Sequence, residues 1–144
     1  MSSAQKMNEV MSRLREARLK PTSARQCLLK ILISNHGPFT IEELHQAVGV
    51  KSCDLVTVYR TVKSLEDVGI IERCEWEGGT ARFEYRDPLR HHHHIICSSC
   101  QRVESIAKCP VKLNLTELSA MGYQVVGHKL NVYGVCRDCQ SSTQ

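Results

Sequence analysis

Four cysteines in two pairs carry the strongest chemical signal in this chain: Cys97-x-x-Cys100 and Cys136-x-x-Cys139. A two-residue gap lets both thiolates of a pair reach one ion, and two pairs complete the sulfur tetrahedron that Zn²⁺ accepts at about 2.3 Å. Four thiolates leave no open position, so the site is expected to be structural, tying the first strand of a small C-terminal domain to the tail. A redox dithiol or independent buried cysteines are the competing explanations, but neither pair lies in a thioredoxin-like strand–helix context. The remaining cysteines, Cys27, Cys53, Cys74 and Cys109, read as small buried hydrophobes, with auxiliary ligation as the alternative.

The run His91-His92-His93-His94 is the second constellation. Its position inside the chain is wrong for an expression tag. On a strand, alternate residues face opposite sides, so His92 and His94 can serve one metal and His91 and His93 another. Glu72, Glu84, Asp87 and Glu104 are the carboxylates within reach in sequence, and His128 is the only histidine of the second half outside the run. Imidazole with carboxylate suits Zn²⁺, Fe²⁺, Mn²⁺ or Ni²⁺, and ligand type alone does not choose among them. A solvated loop without metal is the alternative.

A third group lies on a predicted helix that runs from Leu55 to a stop at Gly69. Leu55, Val58, Val62 and Leu65 form its expected buried stripe, and Thr57, Tyr59, Arg60, Lys63 and Ser64 surround it. Arginine and lysine there can pair with guanine edges or phosphates, and tyrosine can contact a phosphate or a thymine methyl. Three helices precede this one. A basic first helix carries Met7, Met11 and Leu14 at helical spacing, and Lys20-Pro21-Thr22 ends it. A second packs through Leu28, Ile31 and Leu32 and stops at Asn35-His36-Gly37-Pro38, and a third opens on a Thr40/Glu43 capping box with Ile41, Leu44 and Val48 as its stripe. Two short strands around Glu77-Gly78-Gly79-Thr80 then predict a hairpin. Helices followed by a hairpin are the order of a winged helix-turn-helix, whose last helix enters the DNA major groove.

Beyond residue 91 the pattern changes to strands at Ile95–Cys97, Gln124–Val126 and Leu130–Tyr133 around one helix starting near Pro110. The expected class is therefore α+β, with a winged-helix domain over 1–88, a small α/β domain over 89–144, and the boundary within 87–91. The 144 residues suffice for two such small domains. The N-terminus has neither the basic start nor the apolar run of a signal peptide, and no stretch approaches a membrane span, which predicts a cytoplasmic protein without a membrane partner. In a reducing compartment eight cysteines argue for metal rather than disulfides. Charge is uneven: residues 1–30 hold seven Lys and Arg against two Glu, while the whole chain is only +4.

Together, Thr57-Val58-Tyr59-Arg60-Thr61-Val62, the Glu77-Gly78-Gly79 turn, His91-His92-His93-His94-x-x-Cys97-x-x-Cys100 and Tyr133-Gly134-Val135-Cys136-x-x-Cys139 resemble the ferric uptake regulator superfamily, in the family's order over roughly residues 10–139. The resemblance implies a homodimeric, metal-activated repressor that binds a palindromic double-stranded operator, with a C-terminal dimerisation domain and a regulatory metal at the hinge. It implies that Tyr59 and Arg60 contact DNA from the recognition helix, that Lys20 enters a minor groove, and that Arg25 belongs to the DNA-binding set. His92, His94 and Glu84 match hinge ligands, and Glu72 stands where zinc-sensing members carry a wing ligand. His91, His93 and His128 match a second site, to which Glu104 is added as a displaced acidic ligand.

The implied metals are structural Zn²⁺ and regulatory Zn²⁺ or Fe²⁺, with Mn²⁺ as a further possibility. The histidine that iron sensors place before the third helix is replaced by Gly37-Pro38-Phe39, with His36 slightly early. The cysteine that zinc sensors carry near Glu84–Asp87 is absent, with Cys74 nearby as a substitute, and Asp87 keeps a peroxide-sensing member in view. A zinc-dependent hydrolase using His92, His94 and Glu104 is the rival from another class, but there is no His-Glu-x-x-His helix and no nucleophile, so no enzyme is expected. A zinc-ribbon adaptor that binds protein would leave the helix and hairpin unexplained.

Overall fold

Capping side chains set the starts of the first four helices. The computed structural model describes residues 2–35, 37–75, 79–87 and 91–142. In α1 (Ser3–Glu16), Ser2 and Gln5 form a capping box, and in α2 (Ser23–Ser34) the Thr22 hydroxyl accepts from the Arg25 N–H. The expected Thr40/Glu43 capping box opens α3 (Ile41–Val48), and the Asp54 carboxylate accepts from the Thr57 N–H at 2.7 Å to open α4 (Leu55–Asp67). Each cap satisfies an amide that the helix leaves without an internal partner. Gly69, at φ +67°, takes the left-handed turn after α4 that a side chain would disfavour.

The chain divides into two compact units, Met1–Asp87 and Pro88–Gln144. In the first, Val10 and Leu14 of α1, Leu28 of α2, Leu44 of α3, and Val58 and Leu65 of α4 are sealed from solvent. The antiparallel hairpin of β1 (Ile71–Cys74) and β2 (Arg82–Tyr85) closes the helices, and Phe39 adds a bridge to Phe83. Of its expected turn, Glu77-Gly78-Gly79-Thr80, the first two residues lie outside those described. One expectation is corrected: Leu55 is 44% exposed, and Thr61 completes the buried stripe with Val58, Val62 and Leu65. Leu55 is the first residue of the helix, a turn before the stripe begins, so the spacing 58, 61, 62, 65 is the face that packs.

The second unit is a three-stranded sheet ordered β4-β3-β5. Strand β3 (His93–Cys97) pairs antiparallel with β4 (Val103–Ile106) and parallel with β5 (Asn131–Gly134). Helices α5 (Leu115–Ala120) and α6 (Arg137–Ser141) complete it. The strand expected at Gln124–Val126 is not formed. Both sides of β3 are already taken, and this segment adds to neither free edge, so its backbone groups have no ladder to join. The helix expected near Pro110 starts only at Leu115, where Asn114 is the first residue able to accept from the N-terminal amides. Among the described residues no helix is long and apolar enough to cross a membrane.

Leu44 is fully buried and Val56 is 58% exposed. Leu44→Ala is expected to cost about 2–5 kcal/mol of stability, and Val56→Ala to stay within about 0.5 kcal/mol, both measured by urea unfolding.

Candidate metal centres and nucleic-acid surface

Strand β3 delivers Cys97 into a tight turn, and the step from β5 into α6 delivers Cys136 as the helix cap. With Cys100 and Cys139 they bring four sulfurs within 4.8 Å of one another, Cys100 Sγ and Cys136 Sγ being 3.8 Å apart. The Cys136 amide donates to Cys97 Sγ at 3.3 Å. That bond, with a second from the Cys100 amide, lowers the Cys97 thiol to about 6. At Cys139 a bond with the Ser99 side chain pulls the other way, but crowding by Cys136, Cys100 and Cys97 pushes the thiol up to about 12. One thiolate is thus prepared by the backbone, and the full set ionises only around a cation. The donor set fits zinc, which would cross-link the start of the sheet to the tail.

The histidine run enters β3 with alternate rings on opposite sides. His92 and His94 form an edge-to-face pair, their centroids 5.3 Å apart. His91 and His93 instead converge with His128, and the fourth member is Cys109. His128 Nε2 lies 3.1 Å from His91 Nε2 and 3.2 Å from both His93 Nε2 and Cys109 Sγ, while His93 Nε2 is 3.2 Å from the same sulfur. Burial, with its neighbouring imidazoles, keeps the His93 pKa below its ordinary value, which favours the neutral ring that a metal needs. Glu104, the expected acidic member, is not in this group: it pairs with Ile95, two positions along the strand from the His93–Ile106 pair. Cys109 carries no spacing signal, being a single cysteine in a polar segment, so only the fold brings it to the histidines.

On the hairpin, Glu72 faces Glu84 across the strands, and Cys74 lies on the same face. Glu84 is buried, and the Cys74 thiol donates to its Oε1 at 3.3 Å. Asp87 is committed elsewhere, in an ion pair with Lys6 at 2.7 Å. His36 lies outside the described residues.

Helix α4 turns Tyr59, Arg60 and Lys63 to solvent, with Thr57 half-buried near its start. Lys63 Nζ is 2.6 Å from Asp67, one helical turn on. Lys20 is exposed in the loop before α2. The Arg25 guanidinium donates both to the Lys20 carbonyl and to Ser64 Oγ, the latter at 3.1 Å. It therefore positions the loop against α4 and is less available for an outside anion than Arg60.

The model of the ferric uptake regulator family matches residues 16–133. A peroxide-responsive repressor of Staphylococcus aureus is 30% identical over 139 residues, covering 93% of this chain and 91% of that protein. Among solved structures, a zinc-bound manganese uptake regulator is 30% identical with a TM-score of 0.66, covering 88% of this chain and 97% of its own. The ferric uptake regulator of Vibrio cholerae is 28% identical with a TM-score of 0.69, over 87% and 98%. That of Helicobacter pylori, which has three functional metal-binding sites, aligns over 97% and 95% with a TM-score of 0.78 at 20% identity, a likeness of fold.

Cys136→Ser is expected to abolish the chelator-resistant zinc and unfold the second unit, while Cys27→Ser keeps both. Zinc content and circular dichroism of each variant check this.

Proposed function

The chain belongs to the ferric uptake regulator family, and on that premise we propose that it is a metal-responsive transcriptional repressor of metal uptake or homeostasis genes, with the metal acting as corepressor. The observation that carries this reading is α4, which holds Tyr59 and Arg60 exposed on a helix closed by a hairpin, in a chain that also presents metal-ligand sets. Tyr59, Arg60, Thr57 and Lys63 would meet the major groove, and Lys20 a neighbouring minor groove. Arg25 would serve chiefly to hold that loop.

The regulatory ion would take ligands from the hairpin, Glu84 and Glu72, and from the second unit, His92 and His94, with Cys74 as a further donor. Its chemistry is to join groups that otherwise move separately, so that metal selects the orientation of the DNA-binding units that spans a palindrome. The buried Glu84 beside the Cys74 thiol supports this choice. A thiol in the set favours zinc, and carboxylate with imidazole also accepts iron or manganese. Identity to a peroxide-responsive repressor supports a second reading, peroxide sensing by the same site. The ion pair that occupies Asp87 counts against its use there.

We propose a homodimer formed through the second unit. Val126 is 97%, Tyr123 68% and Met121 63% exposed. This apolar surface in a unit with so small a core matches the chemistry of a second copy. The segment around Val126, which joins no strand among the described residues, offers backbone groups to that partner. Val126→Asp is expected to shift the protein toward monomer in sedimentation velocity, and an unchanged dimer would move the interface elsewhere.

Operator-length DNA binding of protein stripped of regulatory metal, with the cysteine zinc retained, is to be titrated anaerobically with Zn²⁺, Fe²⁺ and Mn²⁺ separately. One ion is expected to tighten binding by about 5–150-fold at concentrations far below the others. No response to any ion would overturn the corepressor role. Arg60→Ala should weaken operator binding by about 1–3 kcal/mol with the fold intact, and wild-type binding should fall steeply with salt.

A further inference from the structure

We infer that Val56 is a further specificity-determining residue of the DNA surface, packing on the C5-methyl group of a thymine close to the base that Arg60 reads. This rests on the repressor reading above and adds to its polar contacts an aliphatic one.

Among the described residues, the large apolar side chains that the first unit leaves exposed are Val50, Leu55, Val56 and Tyr59. All of them fall within residues 50–59, the turn after α3 and the start of α4. Exposed apolar residues scattered singly need no explanation, but a patch confined to one end of one helix marks a contact surface. Val56 belongs neither to the core nor to the side chains packed against it. A β-branched residue is also a poorer helix former than alanine, so the fold itself gains nothing from valine at this place.

The pitch of α4 fixes where Val56 points. With Val58, Thr61, Val62 and Leu65 buried, the opposite ridge at 3.6 residues per turn runs through Val56, Arg60, Lys63 and Asp67, all of them exposed. The ridge changes chemistry along its length. Toward its C-terminal end Lys63 Nζ lies 2.6 Å from Asp67 and 3.9 Å from Glu66, and these carboxylates disfavour close approach of a phosphate. At the start of the helix the Asp54 carboxylate already accepts from the Thr57 amide, a bond that holds its pKa below the ordinary value. A negative charge thus stands where helix amides would otherwise receive a phosphate.

Between these acidic ends the ridge offers Val56 and, one turn on, Arg60. An aliphatic group suits the methyl of thymine and a guanidinium suits the edge of guanine. The N-terminal residues of a recognition helix are those that reach base edges. Valine is held to one rotamer in a helix, so its methyl groups are presented at little entropic cost. Val56 and Arg60 are roughly 6 Å apart along the axis, against about 3.4 Å per base on one strand. The thymine therefore lies within about two base steps of the guanine.

The test uses the full-length protein loaded with the ion that tightens DNA binding most, and a duplex selected by that protein from a random pool. Each thymine is replaced in turn by deoxyuridine, which lacks only the methyl group. At one position per half-site the replacement should weaken wild-type binding by about three- to fivefold, the effect of burying one methyl-sized group. Val56→Ala, with unchanged circular dichroism, should bind the thymine duplex more weakly by a similar factor and lose nothing further with deoxyuridine at that position. Arg60→Ala should keep the deoxyuridine penalty while losing the preference for the nearby guanine. A penalty that persists in Val56→Ala and disappears in Tyr59→Ala would give the methyl group to Tyr59 and overturn the assignment, as would the absence of any deoxyuridine-sensitive position. A protein that selects no duplex with any ion would sink the repressor reading and this inference with it. Metal-dependent selection with a deoxyuridine profile indifferent to Val56 would sink this inference alone.

Discussion

The second unit depends on bringing four thiolates to one place. Among the described residues its buried apolar side chains come down to Ile96 and Cys97 of one strand, accompanied by two histidines, and so few contacts cannot offset the conformational entropy of ordering over fifty residues. A cation at the tetrad would supply what the core lacks. It would fasten the turn after β3 to the cap of α6, and so hold β5 beside β3 in a parallel pairing whose chain connection is long. The backbone anticipates this role: the Cys136 amide already donates to Cys97 Sγ.

Everything placed on β3 inherits its orientation from that anchor. The period-two alternation of a strand sends His91 and His93 to one cluster and His92 and His94 to another side, so one run of four identical residues presents two different faces. The first cluster takes a sulfur, that of Cys109, as its fourth member.

The first unit follows a different economy. Its helices are capped by their own side chains and packed by aliphatic residues that reach zero exposure, so it can keep α4 rigid while leaving Tyr59 and Arg60 to solvent. Arg25 illustrates how a basic residue beside α4 can be taken up by the fold itself. With its guanidinium bonded to the Lys20 carbonyl and the Ser64 hydroxyl, it ties the exposed loop to the helix, and the loop's own lysine is left to face outward.

The sequence by itself determined the winged-helix order, the zinc tetrad and the face of α4, because each is encoded in local spacing: caps, helical stripes and paired cysteines. It did not determine partners that are distant in the chain. Cys109 joins His128 and the histidine run only through the sheet order β4-β3-β5, and Glu104 falls two strand pairs away from the His93 position for the same reason. Leu55 looked buried because its place in the stripe was counted from the sequence, whereas the helix begins there and the packing face starts a turn later. The Gln124–Val126 segment has the composition of a strand but no edge in its own chain to join. Strand formation is a property of a pair, and tertiary structure alone decides where the other member is.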